Sequence, residues 1–327
     1  MPTLFPYRLP LTAPLRLAFG TVTRRDGFLL RLGDEAGRVG WGDVCPLPGF
    51  SPDTLAEAES SLRRWMEDGD DSALTPSARA ALDGARLDLD AQARGVTMAE
   101  ALRSGAASTV QMQALLVRDD PADARSLRAA GYRAVKMKVG GDPRAAAARV
   151  RAVADALGTN VTLRLDANRA WRWDDARRFA DAVRGVSLGY VEEPLADPSR
   201  LPDLVRDTEL PVALDESLQD LAPDDLARHG YAVAVVLKPV VLGGVRRALA
   251  WADAARALGL DAVVSGAFES GVGTRHALAL AAALGGGPAG LDPYRRLAAD
   301  VLAPRLRLDR PVIDTNEVLI PRNVEMI

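Results

Sequence analysis

The chain holds 327 residues, 48% of them hydrophobic and 26% charged, enough to bury the core of a large barrel or of two domains. Its 41 basic and 44 acidic side chains leave a net charge of −3, which lacks the basic excess of a nucleic-acid binder. A single cysteine, Cys45, excludes a disulfide within the chain and suits a reducing cytoplasmic location.

Met1 to Pro6 shows neither the basic nor the long apolar region of a secretory signal. The Ala/Leu runs near 276–284 are too short to span a bilayer. No nucleic acid and no membrane is therefore expected as a partner; the protein is expected to be a monomer or homo-oligomer, and its small-molecule carboxylate partner is read from the strand ends below. Residues 1–100 read as a mixed α+β module. Phe28 to Leu32 has strand character, Gly33 to Gly42 reads as Gly-rich turns, and Ser51-Pro52 suits a helix start. A second helix is predicted from Pro76 toward Arg94, stopped by Gly95.

From about residue 109 short apolar runs alternate with Ala/Arg-rich helical stretches. Strands are predicted to begin near Val110, Ala134, Val161, Leu188, Pro211, Ala234, Ala262 and Ala289, a strand-plus-helix period that fits a parallel barrel. Asp142-Pro143 and Asp197-Pro198 mark helix starts. The segment after Val301 breaks the rhythm with three prolines and is expected to leave the barrel and pack on the first module.

Parallel barrels carry their chemistry at the C-terminal ends of strands. In Ala134-Val135-Lys136-Met137-Lys138 the two lysines share one face of a strand that should be apolar on both. Leu163 to Asn168 alternates Arg164, Asp166 and Asn168 with apolar residues, and the next two strands end in Glu192-Glu193 and Asp215-Glu216. Carboxylates at three successive strand ends would repel unless a hard divalent cation joined them, so Asp166, Glu192 and Asp215 are predicted ligands of Mg²⁺, with Mn²⁺ the alternative. Lys238 ends a sixth strand, and Ser265-Gly266-Ala267 forms a small loop whose N–H groups suit a substrate carboxylate. This is the equipment for removing a proton next to a carboxylate. A dication offsets the second negative charge, and a lysine made less basic by neighbouring cations takes the proton. Lys138, nearer the strand end, is the expected base, with Lys136 tuning it or touching the substrate. His229, before a helix-ending Gly230, and His276, within a helical run, are expected to be structural or superficial.

The strand-end order Lys-x-Lys, Asp, Glu, Asp, Lys resembles the muconate-lactonising branch of the enolase superfamily. Gly40-Trp41-Gly42-Asp43, Pro46-Leu47-Pro48-Gly49-Phe50-Ser51, Leu163 to Trp171, Leu237-Lys238-Pro239 and Ser265 to Ser270 are most similar to its o-succinylbenzoate synthase family. The resemblance implies a (β/α)7β TIM-like barrel over residues 101–303, with an α+β N-terminal capping domain over 1–100 completed by the C-terminal segment 304–327. It implies Mg²⁺-dependent syn-dehydration of 2-succinyl-6-hydroxy-2,4-cyclohexadiene-1-carboxylate to 2-succinylbenzoate, a step of menaquinone biosynthesis. In that reading Asp166, Glu192 and Asp215 hold the metal, and Glu193 and Glu216 are neighbouring acids. Lys138 takes the proton and returns it to the departing hydroxyl, and Lys238 offers a cation–π contact to the substrate ring. Arg164, Ser265 and Gly266 lie near the substrate, while loops around Phe19-Gly20 and Leu47 to Ser51 close over it. Ser265-Gly266-Ala267 is poorer in serine than the family's usual loop, which leaves the succinyl contacts open. The same residue types also serve N-succinylamino acid racemases, dipeptide epimerases and cycloisomerases. From other classes, a Schiff-base lysine aldolase and a non-catalytic binding barrel compete, but neither needs three strand-end carboxylates.

Overall fold

The computed structural model describes residues 1–17, 20–319 and 323–325. They form two compact units, one of residues 1–110, 237–250 and 264–327, the other of residues 111–236 and 251–263.

The first unit opens on an antiparallel sheet of β1 (Thr3–Leu17), β2 (Gly20–Gly33) and β3 (Val39–Val44), in that order. The stretch expected as turns from Gly33 to Gly42 divides in two. Asp34 Oδ1 accepts the Arg38 N–H at 2.9 Å and closes a turn, and from Val39 the chain is already strand. Helices α1 (Leu55–Asp68) and α2 (Pro76–Arg94) bury Leu62, Ala81 and Leu82 against Leu30, Leu32 and Val44 of the sheet. The glycines of Gly40-Trp41-Gly42 are a helix seat: a Cβ at either would overlap the carbonyl of Ala85 or Ala81 on α2.

α1 does not start at Ser51-Pro52. Thr54 and Glu57 form a reciprocal capping box, which satisfies N–H groups at both ends of the first turn and sets the start at Leu55. Ser51 instead accepts the Leu47 N–H at 2.8 Å and closes the Leu47–Ser51 loop. α2 ends at Gly95 in the left-handed conformation. The C-terminal segment lies in this same unit, where the Ala298 N–H donates to Pro10 at 2.7 Å and the Thr315 N–H to Ser108 at 2.9 Å.

The second unit carries a sheet of seven strands in strict chain order: β4 (Gln113–Leu116), β5 (Ala134–Lys138), β6 (Thr162–Asp166), β7 (Leu188–Glu192), β8 (Val212–Leu214), β9 (Ala234–Leu237) and β10 (Asp261–Val264). Pairing from β4 through β9 is parallel, with a helix or helical turn after each strand, as in a TIM-like barrel. The first strand begins at Gln113 rather than Val110, because Thr109–Gln111 forms a separate short strand. Asp142 caps the helix Pro143–Leu157 through the Ala145 N–H at 2.8 Å. Asp197-Pro198 opens a 3-10 turn that runs into Leu201–Thr208.

The strand expected near Ala289 does not form. Gly290 makes an isolated parallel bridge to Ser265, both in the first unit. Gly285 to Pro288 before it and Pro293 after it have poor strand propensity, and the prolines lack a donor. Both histidines are placed away from chemistry. His276 is buried with its ring over Gly84, and burial pushes its imidazole down to about 3, so it stays neutral. His229 is part-buried and hydrogen-bonds Tyr231 at 3.1 Å. No helix among the described residues is long and apolar enough to cross a membrane.

Candidate active site

Parallel register stacks the polar side chains of β5, β6 and β7 in two rows. Lys138 stands opposite Asp166, and Asp166 opposite Glu192. One step back along the strands, Lys136 stands opposite Arg164, and Arg164 opposite Tyr190. The two lysines share a face but differ in depth: the Lys136 side chain is 12% exposed and that of Lys138 is 62% exposed.

The Lys136 ammonium reaches forward into the outer row, 2.9 Å from Asp166 Oδ2 and 2.5 Å from Glu192 Oε2. Burial works against its charge, but Asp166, Glu192, Tyr190 and Asp215 outweigh burial and hold its pKa well above the ordinary lysine value. Asp215, at the end of β8, thus lies within electrostatic reach of the same ammonium. Asp166, Glu192 and Asp215 are all buried. Among the described residues no three His, Cys, Asp or Glu side chains are arranged to hold a metal as they stand; Asp166 and Glu192 are drawn onto Lys136 instead. The donors nonetheless fit a hard dication. They are carboxylate oxygens only, borne on consecutive strands, and the ammonium between two of them stands where positive charge is needed.

Lys138 Nζ donates to Asn168 Oδ1 at 2.7 Å and lies 4.0 Å from Asp166 Oδ2. The Asn168 amide is oriented from its other end, where Nδ2 donates to Glu216 Oε1 at 3.2 Å. Arg164, in the inner row, donates to Gln113 Oε1 at 2.8 Å and lies 5.2 Å over the Tyr190 ring. The second unit therefore brings together Lys136, Lys138, Arg164, Asp166 and Glu192, with Asp215 in electrostatic range. Reading the sequence did not single out Asn168, Gln113 or Tyr190 for these contacts. Asn168 and Tyr190 keep the inward parity of Asp166 and Glu192, which is the signal that marks them.

Lys238, Ser265 and Gly266 belong to the first unit. Lys238, only 9% exposed, sets its ammonium 4.3 Å from the centre of the Phe50 ring, and Leu47, Val240, Val241 and Ala267 form the apolar cluster that Phe50 packs against. The loop at Ser265 does not offer its N–H groups to an incoming carboxylate. Ser265 N–H donates to Leu237, Gly266 N–H to Gly290 and Ala267 N–H to Glu269 Oε2, at 2.9, 3.0 and 2.7 Å. The Leu237 and Gly290 carbonyls and the Glu269 carboxylate together consume the donors that composition alone left available. Behind this loop Arg25 donates to the carbonyls of Cys45 and Pro46, each at 2.9 Å, and of Phe268 at 3.3 Å. Of the loops expected to close over a ligand, Leu47 to Ser51 is closed on itself by Ser51, and Phe19 lies outside the described residues.

Residues 119–321 match the family described as Enolase C-terminal domain-like, and residues 1–89 match the family described as MenC, N-terminal domain. The o-succinylbenzoate synthase of Klebsiella pneumoniae (strain 342) is 32% identical over 94% of this chain and 95% of its own length. The dipeptide epimerase of Enterococcus faecalis V583, solved with Mg and the dipeptide L-Leu-L-Tyr, superposes with a TM-score of 0.83 at 25% identity, over 99% of this chain and 98% of that one. The muconate lactonizing enzyme of Pseudomonas fluorescens, solved with muconolactone, has a TM-score of 0.84 at 22% identity, over 100% and 95% of the two chains, a likeness of fold alone.

Proposed function

The chain belongs to the enolase superfamily, among its o-succinylbenzoate synthases, and from that premise we propose that it dehydrates 2-succinyl-6-hydroxy-2,4-cyclohexadiene-1-carboxylate to 2-succinylbenzoate. The observation that carries the proposal is the outer row of side chains: an exposed lysine beside buried carboxylates on consecutive strand ends.

In this reading Asp166, Glu192 and Asp215 would hold a divalent cation, Mg²⁺ by the hardness of the oxygen donors, with Mn²⁺ acceptable to the same set. When bound, the cation supplies Lewis-acid relief of the charge that develops on a substrate carboxylate. Lys138 takes the proton adjacent to that carboxylate. Its 62% exposure lets the side chain swing toward a ligand as the neutral amine that can accept a proton, and Asn168 Oδ1 gives it a fixed resting partner. The same amine then returns a proton to the departing hydroxyl on that face, which makes the elimination syn. Lys136 serves from below by neutralising Asp166 and Glu192. Lys238, already against the Phe50 ring, presents its ammonium to an unsaturated substrate ring as a cation–π donor. Arg164, Ser265 and Gly266 are assigned to lining the substrate, the last two by shape, since their N–H groups are taken.

The test is dehydration measured beside α-proton exchange of N-succinylamino acids in D₂O, in wild type, Lys138→Ala and Lys238→Ala. We expect Lys138→Ala to abolish turnover while calorimetry still detects Mg²⁺ binding. Near-normal dehydration by Lys138→Ala would refute the assignment of the base. Exchange without dehydration in the wild type would move the protein to the racemases.

A further inference from the structure

Glu193 follows Glu192 directly but points its carboxylate elsewhere. Its backbone has φ +40°, a conformation that a residue with a side chain holds when its surroundings impose it. The side chain is fully buried at 0% exposure and accepts four hydrogen bonds. Oε1 takes the N–H groups of Asp215 at 3.1 Å and Ser217 at 2.9 Å, the two neighbours of Glu216. Oε2 takes the Ser217 hydroxyl at 3.0 Å and Arg169 Nε at 3.1 Å. Arg169 also donates through Nη2 to Ser217 Oγ at 3.0 Å and through its N–H to the Glu193 carbonyl at 2.7 Å. Arg169 and Asn168 are themselves left-handed, at φ +58° and +43°.

We propose that Glu193 is a positioning residue that fixes two strand-end turns against each other, one carrying Asp215 and the other carrying the Asn168 that holds Lys138. The inference rests on the roles proposed above for Asp215 and Lys138. One arm runs through Oε1. By pinning the residues on both sides of Glu216, it sets the backbone of Asp215 and the carboxylate that orients the Asn168 amide. The other arm runs through Oε2 to Arg169, whose two anchored groups leave Asn168 little freedom in its unusual backbone state. A carboxylate is needed because every group facing it is a donor. A glutamine can keep the Oε1 arm with its carbonyl, but it turns an NH₂ toward Arg169 and breaks the other arm.

Three variants separate the arms, each read by Mg²⁺ calorimetry, metal-free thermal unfolding and steady-state kinetics. Glu193→Gln and Arg169→Met should each lower kcat by about tenfold or more while Mg²⁺ affinity stays within about threefold of wild type. Glu193→Met, which loses both arms, should also weaken Mg²⁺ by about 10- to 100-fold, the usual cost of removing a group that orients ligands. The division of effects between kcat and metal affinity is the signature that general structural damage would not give. Unchanged kcat in both Glu193→Gln and Arg169→Met overturns the proposal, and so does wild-type metal affinity in a folded Glu193→Met. Should Glu193→Met not fold, the first two variants still decide, because the Arg169 side chain is 30% exposed and its loss removes one arm only. Absence of Mg²⁺ binding by the wild type would instead strike the functional reading itself.

Discussion

Replacing Lys136 by methionine removes an ammonium in contact with both Asp166 and Glu192, while retaining most of the apolar stem. The two carboxylates are 4% and 1% exposed, so they keep little access to water when the ammonium is gone. Breaking a buried pair from one side costs about 3–5 kcal/mol, mainly because the remaining charge is stranded. At roughly 2.1 cal/mol/K of unfolding entropy per residue, a chain of 327 residues carries about 0.7 kcal/mol/K, so metal-free Lys136→Met should unfold about 4–7 °C below wild type. The raised Lys136 pKa means that this stabilisation is present below the lysine's unfolded pKa and is lost only as pH rises through its still higher folded value. The deficit should therefore be the same at pH 6 and at pH 9. Added Mg²⁺ should narrow it, because a dication supplies the charge that methionine cannot, so the variant's metal-induced rise should exceed that of wild type. Scanning calorimetry with EDTA and with saturating Mg²⁺ measures both quantities. A metal-free Lys136→Met that melts within 1 °C (about 0.7 kcal/mol) of wild type would refute the reasoning, since it would mean that desolvating the ammonium costs as much as its ion pairs return.

Phe50→Leu keeps an apolar side chain but removes the ring that lies 4.3 Å from Lys238 Nζ. Loss of a cation–π contact worth about 0.5–2 kcal/mol should lower kcat/KM by roughly 2- to 30-fold, with Phe50→Tyr near wild type; equal activity in all three would dismiss the contact. Burial, with the nearby Asp43 carboxylate adding to it, raises the Glu269 carboxyl to about 7. An acid held protonated by the fold contributes stability below its unfolded pKa and loses it as pH rises through the folded value, so melting temperature should carry a downward component between pH 5 and pH 8. Glu269→Gln should remove that component in melting curves taken across this range, and an identical pH dependence in the two proteins would reject it. Tyr7→Phe strips a buried 2.7 Å hydrogen bond from Asp43, whose other oxygen holds the Ser270 N–H and hydroxyl at 2.9 and 2.8 Å. Urea unfolding should show a loss of about 1–3 kcal/mol, and a neutral result would mean that Asp43 is satisfied without it.

What could be read from the chain was whatever obeys a short period. Strand alternation placed Lys136, Lys138, Arg164 and Asp166 on inward positions, the apolar period placed the helix from Pro76, and the Asp142 cap with its N1 proline placed the start at Pro143. Where two local signals competed, the better-satisfied one won: the box of Thr54 and Glu57 over Ser51-Pro52. Register between strands has no such signature. Nothing in Lys-Met-Lys says that the first lysine will stand opposite Arg164 and the second opposite Asp166, yet that offset of one row turns two like residues into a buried counter-ion and an exposed amine.

The same limit explains three of the left-handed residues, those in the turns after Asp166 and Glu192. Asn168 is of a type that tolerates that backbone state, but Arg169 and Glu193 carry no local mark of it. They are held in it by partners drawn from neighbouring strand ends: Arg169 by the Glu193 carbonyl and carboxylate, and Glu193 by the N–H groups of Asp215 and Ser217. A strained turn that is stable only when its neighbour is in place cannot be read one strand at a time. It is also a sound way to build a site whose charged groups repel one another. Backbone N–H groups and an arginine on the far side of the turns take up Glu193, while Lys136 takes up Asp166 and Glu192. The acids are thus divided between two sets of donors, so the buried pair Asp166 and Glu192 shares Lys136 while Glu193 is held by the backbone beneath.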